Sequence, residues 1–289
     1  MNHNPDIMFS VVIPVYNRAG LVGEALESVL NQTFADFELI VIDDASTDQT
    51  PETINEFHDP RLKYIRLEKR SGPSAARNRG AEAGVGKYLA FLDSDDLWRP
   101  EKLEKQAEFF SSHPDILVCQ TEEIWMRNGK RVYPKPKHKK EGGDFFHRAV
   151  NLCLVSPSAV AMERRYFLRI GGFDEDLPAA EDYDLWLRVL SREPIELIPD
   201  PLVIKRAGNW DQLSMSTPAI DKYRIIALLK ILESGDLDDN KRESARKALE
   251  RKSRIYIKGC RKRGKSEEIR EIQKMLLDAG ISSEEKFKP

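Results

Sequence analysis

No apolar run in this chain approaches the ~20 residues that span a bilayer, so no membrane span is expected. Cysteine is scarce: Cys119, Cys153 and Cys260 are odd in number and lack metal-like spacing. They read as free thiols of a reducing compartment, not as a disulfide frame or a zinc site. The stretch MNHNPDIMFS has no basic region followed by a long apolar one, so no signal peptide is expected. These absences point to a cytoplasmic protein, which leaves room for peripheral contact with the inner face of a membrane. Charge of neither sign dominates. A balance of 46 Lys and Arg against 48 Asp and Glu, net −2, argues against a general nucleic-acid binder. No GxGxxG follows a strand and no GxxxxGK[ST] occurs, so dinucleotide-type and P-loop phosphate binding lack their signal. Histidine is absent beyond His147.

What is present is 289 residues at 40% hydrophobic and 33% charged, ordinary globular material for one large domain or a domain with an appendage. Residues 10–15 read as a buried strand whose Pro14 marks its end, and apolar residues recur at helical spacing from Asn17 to Leu30. Strands are expected at Phe37–Ile42, Leu62–Leu67 and Tyr88–Leu92. A helix is expected near Thr50-Pro51-Glu52, where Pro suits the first helical position, and another over Ser74–Glu82. Strand-helix alternation argues for an α/β fold, a mostly parallel Rossmann-like sheet with helices on both faces.

The middle is less regular. Residues 100–112 read as a helix, Ile116–Met126 as a strand and Asn128-Gly129 as a hairpin turn. Residues 127–140 carry seven Lys or Arg, two Pro and no acid, which reads as a mobile loop or a solvated connector. Ser156–Met162 is expected as a strand, Glu181–Leu190 as a helix, and Ile195–Ile198 and Leu202–Ile204 as extended segments. From Pro218 three helices are expected, near 219–233, 240–260 and 266–279. The span Lys241–Lys274 has fourteen Lys or Arg against five Glu. That basic face is either a solvated helical surface or a docking surface for anionic lipid or an acidic partner.

The densest chemical signal is Asp93-Ser94-Asp95-Asp96, directly behind an apolar run. Carboxylates there cannot stay buried and ionised without partners. Carboxylate oxygens suit Mg²⁺ or Mn²⁺, and Mg²⁺ is commonly held by one or two carboxylates plus substrate phosphates. The plainer reading is an acidic turn capping the next segment. Pro14-Val15-Tyr16-Asn17, Asp43-Asp44 and Arg77-Asn78 stand at or after the ends of the other expected strands, where a parallel sheet places one crevice.

The runs SVVIPVYNR, ELIVIDDASTD and SGPSAARNRGAEAGVGKYLAFLDSDD, and later GGFDEDLPAAEDYDLWLR, resemble the family 2 glycosyltransferases of GT-A fold, in order and over about residues 8–215. The resemblance implies a GT-A domain over 1–217, with a nucleotide-binding half at 8–98 and an acceptor half at 99–217. It leaves 218–289 as a helical appendage. It implies that Pro14, Val15, Tyr16, Asn17, Asp43, Asp44, Arg77, Asn78 and Ser94 surround the donor nucleotide. Asp93 and Asp95 would be metal ligands, Asp95 the principal one, for Mg²⁺ or Mn²⁺. It implies direct displacement with inversion, in which a carboxylate takes the acceptor hydroxyl proton. That base is Asp182, supported by Glu181; the plainer reading is that these acids favour a helix amino terminus electrostatically. The implied donor is a nucleotide-diphosphate sugar, UDP ahead of GDP or dTDP. The implied acceptor is a glycan or a lipid-linked saccharide in surface polysaccharide synthesis.

Lys205, Arg206, Asn209 and Trp210 are expected diphosphate or acceptor contacts. Asn209 stands where many relatives carry His, and an amide is a poorer metal ligand than imidazole. Trp186, at helical spacing with Leu185 and Val189, reads as core. Two alternatives stand beside the transferase: a nucleotide-sugar binding protein without turnover, and a sugar nucleotidyltransferase. Tyr16-Asn17-Arg18-Ala19-Gly20 is a poor match to the Gly-rich, basic loop of the latter.

Overall fold

A computed structural model describes residues 7–208 and 220–281. Its contacts divide the chain into two compact units. Met1–Phe145, Leu154–Asp176 and Glu193–Trp210 make the first; Phe146–Cys153, Leu177–Arg192 and Asp211–Pro289 make the second.

The first unit is built on β1 (Phe9–Val15), β2 (Phe37–Asp43), β3 (Leu62–Arg66) and β4 (Tyr88–Phe91). All four run parallel in the order β3-β2-β1-β4. Every residue of β1, β2 and β4 is buried, as the apolar runs require of strands covered on both faces. Helices α1 (Ala19–Leu30), α2 (Thr50–Asn55), α3 (Pro73–Ala83) and α4 (Lys102–Ser112) connect or flank them. Phe9, Val11, Ile13 and Val15 share one apolar core with Val22, Leu26 and Val29 of α1 and Leu103 and Phe110 of α4. On the other face, α3 packs on β1 and β2. Gly80 permits this, since a Cβ there would lie 2.3 Å from Val12. Pro14 lies within the strand, one residue before its end and beyond the last residue paired with β4, Val12.

The sheet continues through β5 (Leu97–Trp98), β6 (Val118–Arg127), β7 (Lys130–Val132), β8 (Val160–Glu163) and β9 (Glu196–Ala207). The order beyond β4 is β8-β6-β9-β5, with β7 hairpinned onto β6; β8 is antiparallel to both neighbours and β6 is parallel to β9. The expected α/β class with a parallel sheet therefore holds in the first half, and a mixed sheet extends it.

Several local expectations differ from the structure. Ile195–Ile198 and Leu202–Ile204 are parts of one strand, β9, which absorbs its prolines by shifting register near Thr121–Glu123. Pro157–Ala159 form a 3-10 turn before β8, which starts only at Val160. The 127–140 stretch contains β7 and a short turn at Pro136–His138, and its last lysine is buried. Lys140 Nζ lies 3.2 Å from Glu123 and 3.0 Å from Gln120 Oε1. Helix α6 (Arg164–Arg169) completes this unit.

The second unit contains α5 (Phe146–Ala149), α7 (Glu181–Leu190), α8 (Ile220–Glu233), α9 (Asp239–Lys262) and α10 (Ser266–Asp278). α7 packs on α5 and α8, and α9 packs on α8, α10 and α5. Trp186 is 2% exposed, in the core as its spacing predicts. Asp184 bridges helices: it accepts from Arg188 at 2.9 Å and from Lys230 of α8 at 2.9 Å. A linear division at 217 would separate α7 from α8 and α9, whereas contacts group them together. Among the described residues no helix is long and apolar enough to cross a membrane.

Candidate active site

The carboxyl ends of parallel β1, β2 and β4 share one edge of the first unit, because parallel strands end on the same side. At β1, Val15 O accepts from Asp44 N at 2.8 Å. The Arg70 guanidinium sits 4.2 Å over the Tyr16 ring. Asn17 takes a left-handed φ of 50° and its Oδ1 accepts from Thr47 N at 2.8 Å, which latches the β1 end to the β2 end.

The two acids after β2 have different surroundings. Asp43 is 0% exposed; Oδ1 accepts from Ser46 N at 2.8 Å and Oδ2 from Tyr64 Oη at 2.8 Å. Asp43 thus sets the turn. Asp44 Oδ1 accepts from Ser71 N at 2.6 Å and Oδ2 from Gly72 N at 2.8 Å. It fixes the loop that starts α3, and each oxygen keeps a second lone pair.

Arg77 and Asn78 diverge similarly. Arg77 Nη2 donates to Asp93 Oδ1 at 2.7 Å, and its guanidinium lies 5.1 Å from the Phe173 ring centroid. Asn78 points elsewhere: Nδ2 donates to Phe173 O and Glu175 Oε1, both at 2.8 Å, and Oδ1 accepts from Phe173 N at 2.9 Å. Its amide holds the 171–175 turn.

Behind β4 the acids are packed closely. Asp96 N donates to Asp93 O at 2.9 Å, closing a tight turn. Asp96 is 2% exposed and caps no helix, contrary to the plainer reading of the motif, since β5 follows it. Instead Oδ2 accepts from Ser158 Oγ at 2.7 Å and Oδ1 from Arg206 N at 2.9 Å. Burial pushes the Asp96 carboxyl well above the usual range, and the charges of Asp95 and Asp93 push the same way against Lys205. Ser94 is 8% exposed. Arg206 Nε donates to Asp95 O at 2.6 Å and Nη1 to Glu24 at 2.8 Å. Lys205 Nζ donates to Ser156 Oγ at 3.4 Å. β9 therefore delivers both expected cations to the Asp93–Asp96 turn. Asn209 and Trp210 lie outside the described residues.

Crowded carboxylates whose mutual charge raises a neighbour's pKa are a fit donor set for a divalent cation, which would relieve that repulsion. Among the described residues no group of three or more His, Cys, Asp or Glu side chains is arranged to hold a metal alone. Asp93 and Asp95 would supply the protein share of a sphere completed by phosphate and water.

In the second unit, Asp182 stands in the first turn of α7, which starts after Ala180 at a left-handed φ of 60°. Its Oδ1 accepts from Tyr183 N at 2.7 Å and its Oδ2 from the Cys153 thiol at 3.4 Å. Asp182 is partly exposed and Glu181 is 6% exposed, so Asp182 is the more accessible of the pair.

The sequence profile described as "Glycosyl transferase family 2" matches residues 10–171, more than half of the chain. The chain belongs to glycosyltransferase family 2.

Within that family, an "Uncharacterized glycosyltransferase" of Rickettsia felis is 36% identical over 192 residues, covering 66% of this chain and 31% of that protein. The chain thus spans about a third of that relative's length. The Escherichia coli "UDP-Glc:alpha-D-GlcNAc-diphosphoundecaprenol beta-1,3-glucosyltransferase WfgD" is 30% identical over 222 residues, covering 76% of this chain and 82% of that protein. Among solved structures, S. aureus TarS 1-349 in complex with UDP-GlcNAc superposes with a TM-score of 0.71 at 24% identity, covering 94% of this chain and 79% of that chain. That likeness establishes the GT-A fold.

Two parts of this family 2 site were not legible in the sequence. Ser158, which holds Asp96, is one serine among many, and nothing in its local pattern marks it. Tyr64, which occupies Asp43, reads as an ordinary strand residue.

Proposed function

We propose that this family 2 protein is an inverting glycosyltransferase that moves a sugar from a UDP-sugar to a hydroxyl of a glycan or lipid-linked saccharide. The observation that carries the reading is the β4 end: Asp93, Asp95 and buried Asp96 in one turn, flanked by Arg77, Lys205 and Arg206. Mixed charge of this kind suits a nucleotide diphosphate better than a neutral sugar. Cations meet phosphate oxygens, and acids meet a metal or sugar hydroxyls. WfgD and TarS, one named for a UDP-Glc donor and the other bound to UDP-GlcNAc, support UDP ahead of GDP or dTDP. WfgD's diphosphoundecaprenol acceptor supports a lipid-linked saccharide here. A cytoplasmic location, peripheral to the inner membrane face, follows from that acceptor.

In this reading Asp44 orients the loop beneath the nucleotide, and Val15, Tyr16 and Asn17 line its approach. Ser94 lies within the phosphate-binding turn. Asp93 and Asp95 would hold Mg²⁺ or Mn²⁺, which would neutralise charge on the leaving diphosphate. Lys205 and Arg206 add fixed positive charge near the same turn. Asp182, with Glu181 beside it, takes the acceptor proton as the oxygen attacks the anomeric carbon. One base suffices, since no water needs separate activation.

Calorimetric titration of UDP with and without Mn²⁺, on wild type and on Asp95→Ala, tests the donor side. Metal-dependent binding that the variant loses is the expected result. Equal binding by the variant would remove Asp95 from the metal site, and no binding of UDP, GDP or dTDP would remove the transferase reading. Donor binding with neither transfer nor hydrolysis across acceptors would favour a binding protein.

A further inference from the structure

Around Tyr183, in the second unit, positive charge gathers with little to balance it. Lys252 of α9 is 8% exposed, and its Nζ lies 5.7 Å from the Tyr183 ring centroid. Nζ donates to Asn151 O at 3.0 Å, and the guanidinium of Arg251 donates to the Asn151 side-chain oxygen. Both partners are neutral, and neither cation forms an ion pair among the described residues. Arg224 of α8 donates through Nη1 to Asp221 Oδ1 at 3.1 Å, while its buried Nε has no hydrogen-bond partner among the described residues. Burial, and then the charges of Arg224 and Arg251, bring the Lys252 amine down to about 8. Three cations thus share one ion-paired carboxylate, Asp221, with an unsatisfied guanidinium donor among them. A buried ammonium crowded by two guanidinium groups calls for an anion.

The cluster's place defines which anion. Asn151, which both Lys252 and Arg251 grip, is two residues from Cys153, at most ~7 Å of chain. The Cys153 thiol touches Asp182 Oδ2 at 3.4 Å. Tyr183, beside Lys252, follows Asp182 in the chain. A sugar 1-diphosphate carries its attacking hydroxyl and its anomeric phosphate across one ring. The base that takes the hydroxyl proton and the cations that hold the phosphate must then stand about one ring apart.

We propose that Arg224, Arg251 and Lys252 form the acceptor-phosphate subsite, which binds the diphosphate of a lipid-linked sugar while Asp182 meets its hydroxyl. The assignment rests on the reading of Asp182 as the base. It makes the C-terminal helices part of acceptor recognition rather than a passive appendage. It also makes the enzyme selective for sugar 1-diphosphates over neutral glycosides.

The test uses the full chain with saturating UDP, so that free phosphate cannot enter the donor site. The probe is GlcNAc 1-diphosphate esterified to a short alkyl chain. The controls are the matching neutral alkyl glycoside and inorganic pyrophosphate. Binding is measured for wild type, Arg251→Gln, Arg224→Gln and Lys252→Gln, each checked for folding by circular dichroism. Charge-assisted hydrogen bonds imply that each folded variant binds the diphosphate probe about tenfold more weakly, with UDP affinity unchanged. Arg251 is solvent-exposed, so its variant keeps the test decisive if Lys252→Gln does not fold. Pyrophosphate binding lost in the same variants supports a phosphate subsite; pyrophosphate failing while the esterified probe binds ties recognition to the whole acceptor head. Variants that bind the probe as wild type does, or a neutral glycoside that binds as tightly, would overturn the proposal. Failure of the glycosyltransferase reading is distinct: wild type would then not bind UDP.

Discussion

Ser158 Oγ donates to Asp96 Oδ2 at 2.7 Å, and the same oxygen accepts from Asp93 N at 3.2 Å. One hydroxyl 62 residues away in sequence thereby holds both ends of the acidic turn. Asp96 is fully enclosed, so each lost partner leaves a desolvated oxygen. Ser158→Ala is expected to lower unfolding stability by about 1–3 kcal/mol, measured in urea. It is also expected to weaken UDP binding, because Asp93 and Asp95 lose their fixed spacing. Asp96→Asn, which keeps the shape and an acceptor oxygen, is expected to be milder than Asp96→Ala. Equal effects for the two would show that the carboxylate's hydrogen bonds matter little.

The turn after α6 gives a sharper stereochemical test. Gly172 has a φ of +62°, and a Cβ on it would lie 2.6 Å from Asn78 Oδ1. Its neighbour Gly171 also has positive φ, +87°, but open space around it. Both substitutions with Ala carry left-handed strain, of order 1–2 kcal/mol, and only Gly172→Ala also displaces Asn78. We expect Gly172→Ala to lose clearly more melting temperature than Gly171→Ala. Asn78→Ala should reproduce part of that loss, without the effect on UDP affinity that a nucleotide ligand would show. A fall in UDP affinity with unchanged stability would put Asn78 in the donor pocket.

How far the sequence carried depended on the length of each element. Helix Glu181–Leu190 appears over the predicted residues, and the three C-terminal helices to within about two residues. Long amphipathic periods identify themselves. Leu97–Trp98 is a strand only because it pairs with Val203 and Ile204, and two residues have no period to detect. Ile195–Ile198 and Leu202–Ile204 read as two segments where a register shift keeps one strand. At the site, types and positions of acids were legible, but their partners were not. Nothing local distinguishes Asp43, consumed by Ser46 and Tyr64, from Asp44. The spacing of Leu185, Trp186 and Val189 announced a buried face on α7 without saying that α5 and α8 pack against that helix.

Asp182→Asn separates chemistry from electrostatics. The amide preserves the oxygen that meets Tyr183 N and cannot accept the acceptor's proton. General base catalysis contributes typically ~10²–10⁴-fold, so kcat is expected to fall by that factor with UDP affinity unchanged. Were Asp182 merely favouring the α7 amino terminus, the loss would be confined to about 0.3–1 kcal/mol of stability. Steady-state rates with a UDP-sugar, paired with thermal melts, decide between the two. Glu181→Gln, at a more buried position, should shift stability more and turnover less.

Lys102 predicts a pH dependence of stability. It is 0% exposed; its Nζ donates to Gln106 Oε1 at 2.7 Å and lies 3.9 Å from the Trp98 ring centroid. Among the described residues no carboxylate is paired with it, and burial brings its amine down from 10.5 to about 7. Between those values the unfolded chain holds a proton that the folded one has released, so stability rises as pH climbs through that window. Below about pH 7 both states are protonated, and the cost of the buried charge is fully present. Lys102→Met removes the titrating group and keeps similar volume. The variant is expected to melt higher than wild type near pH 6, and the gap should narrow toward pH 9. A gap constant across that range would mean that the lysine is charged in the folded protein and stabilised by Trp98.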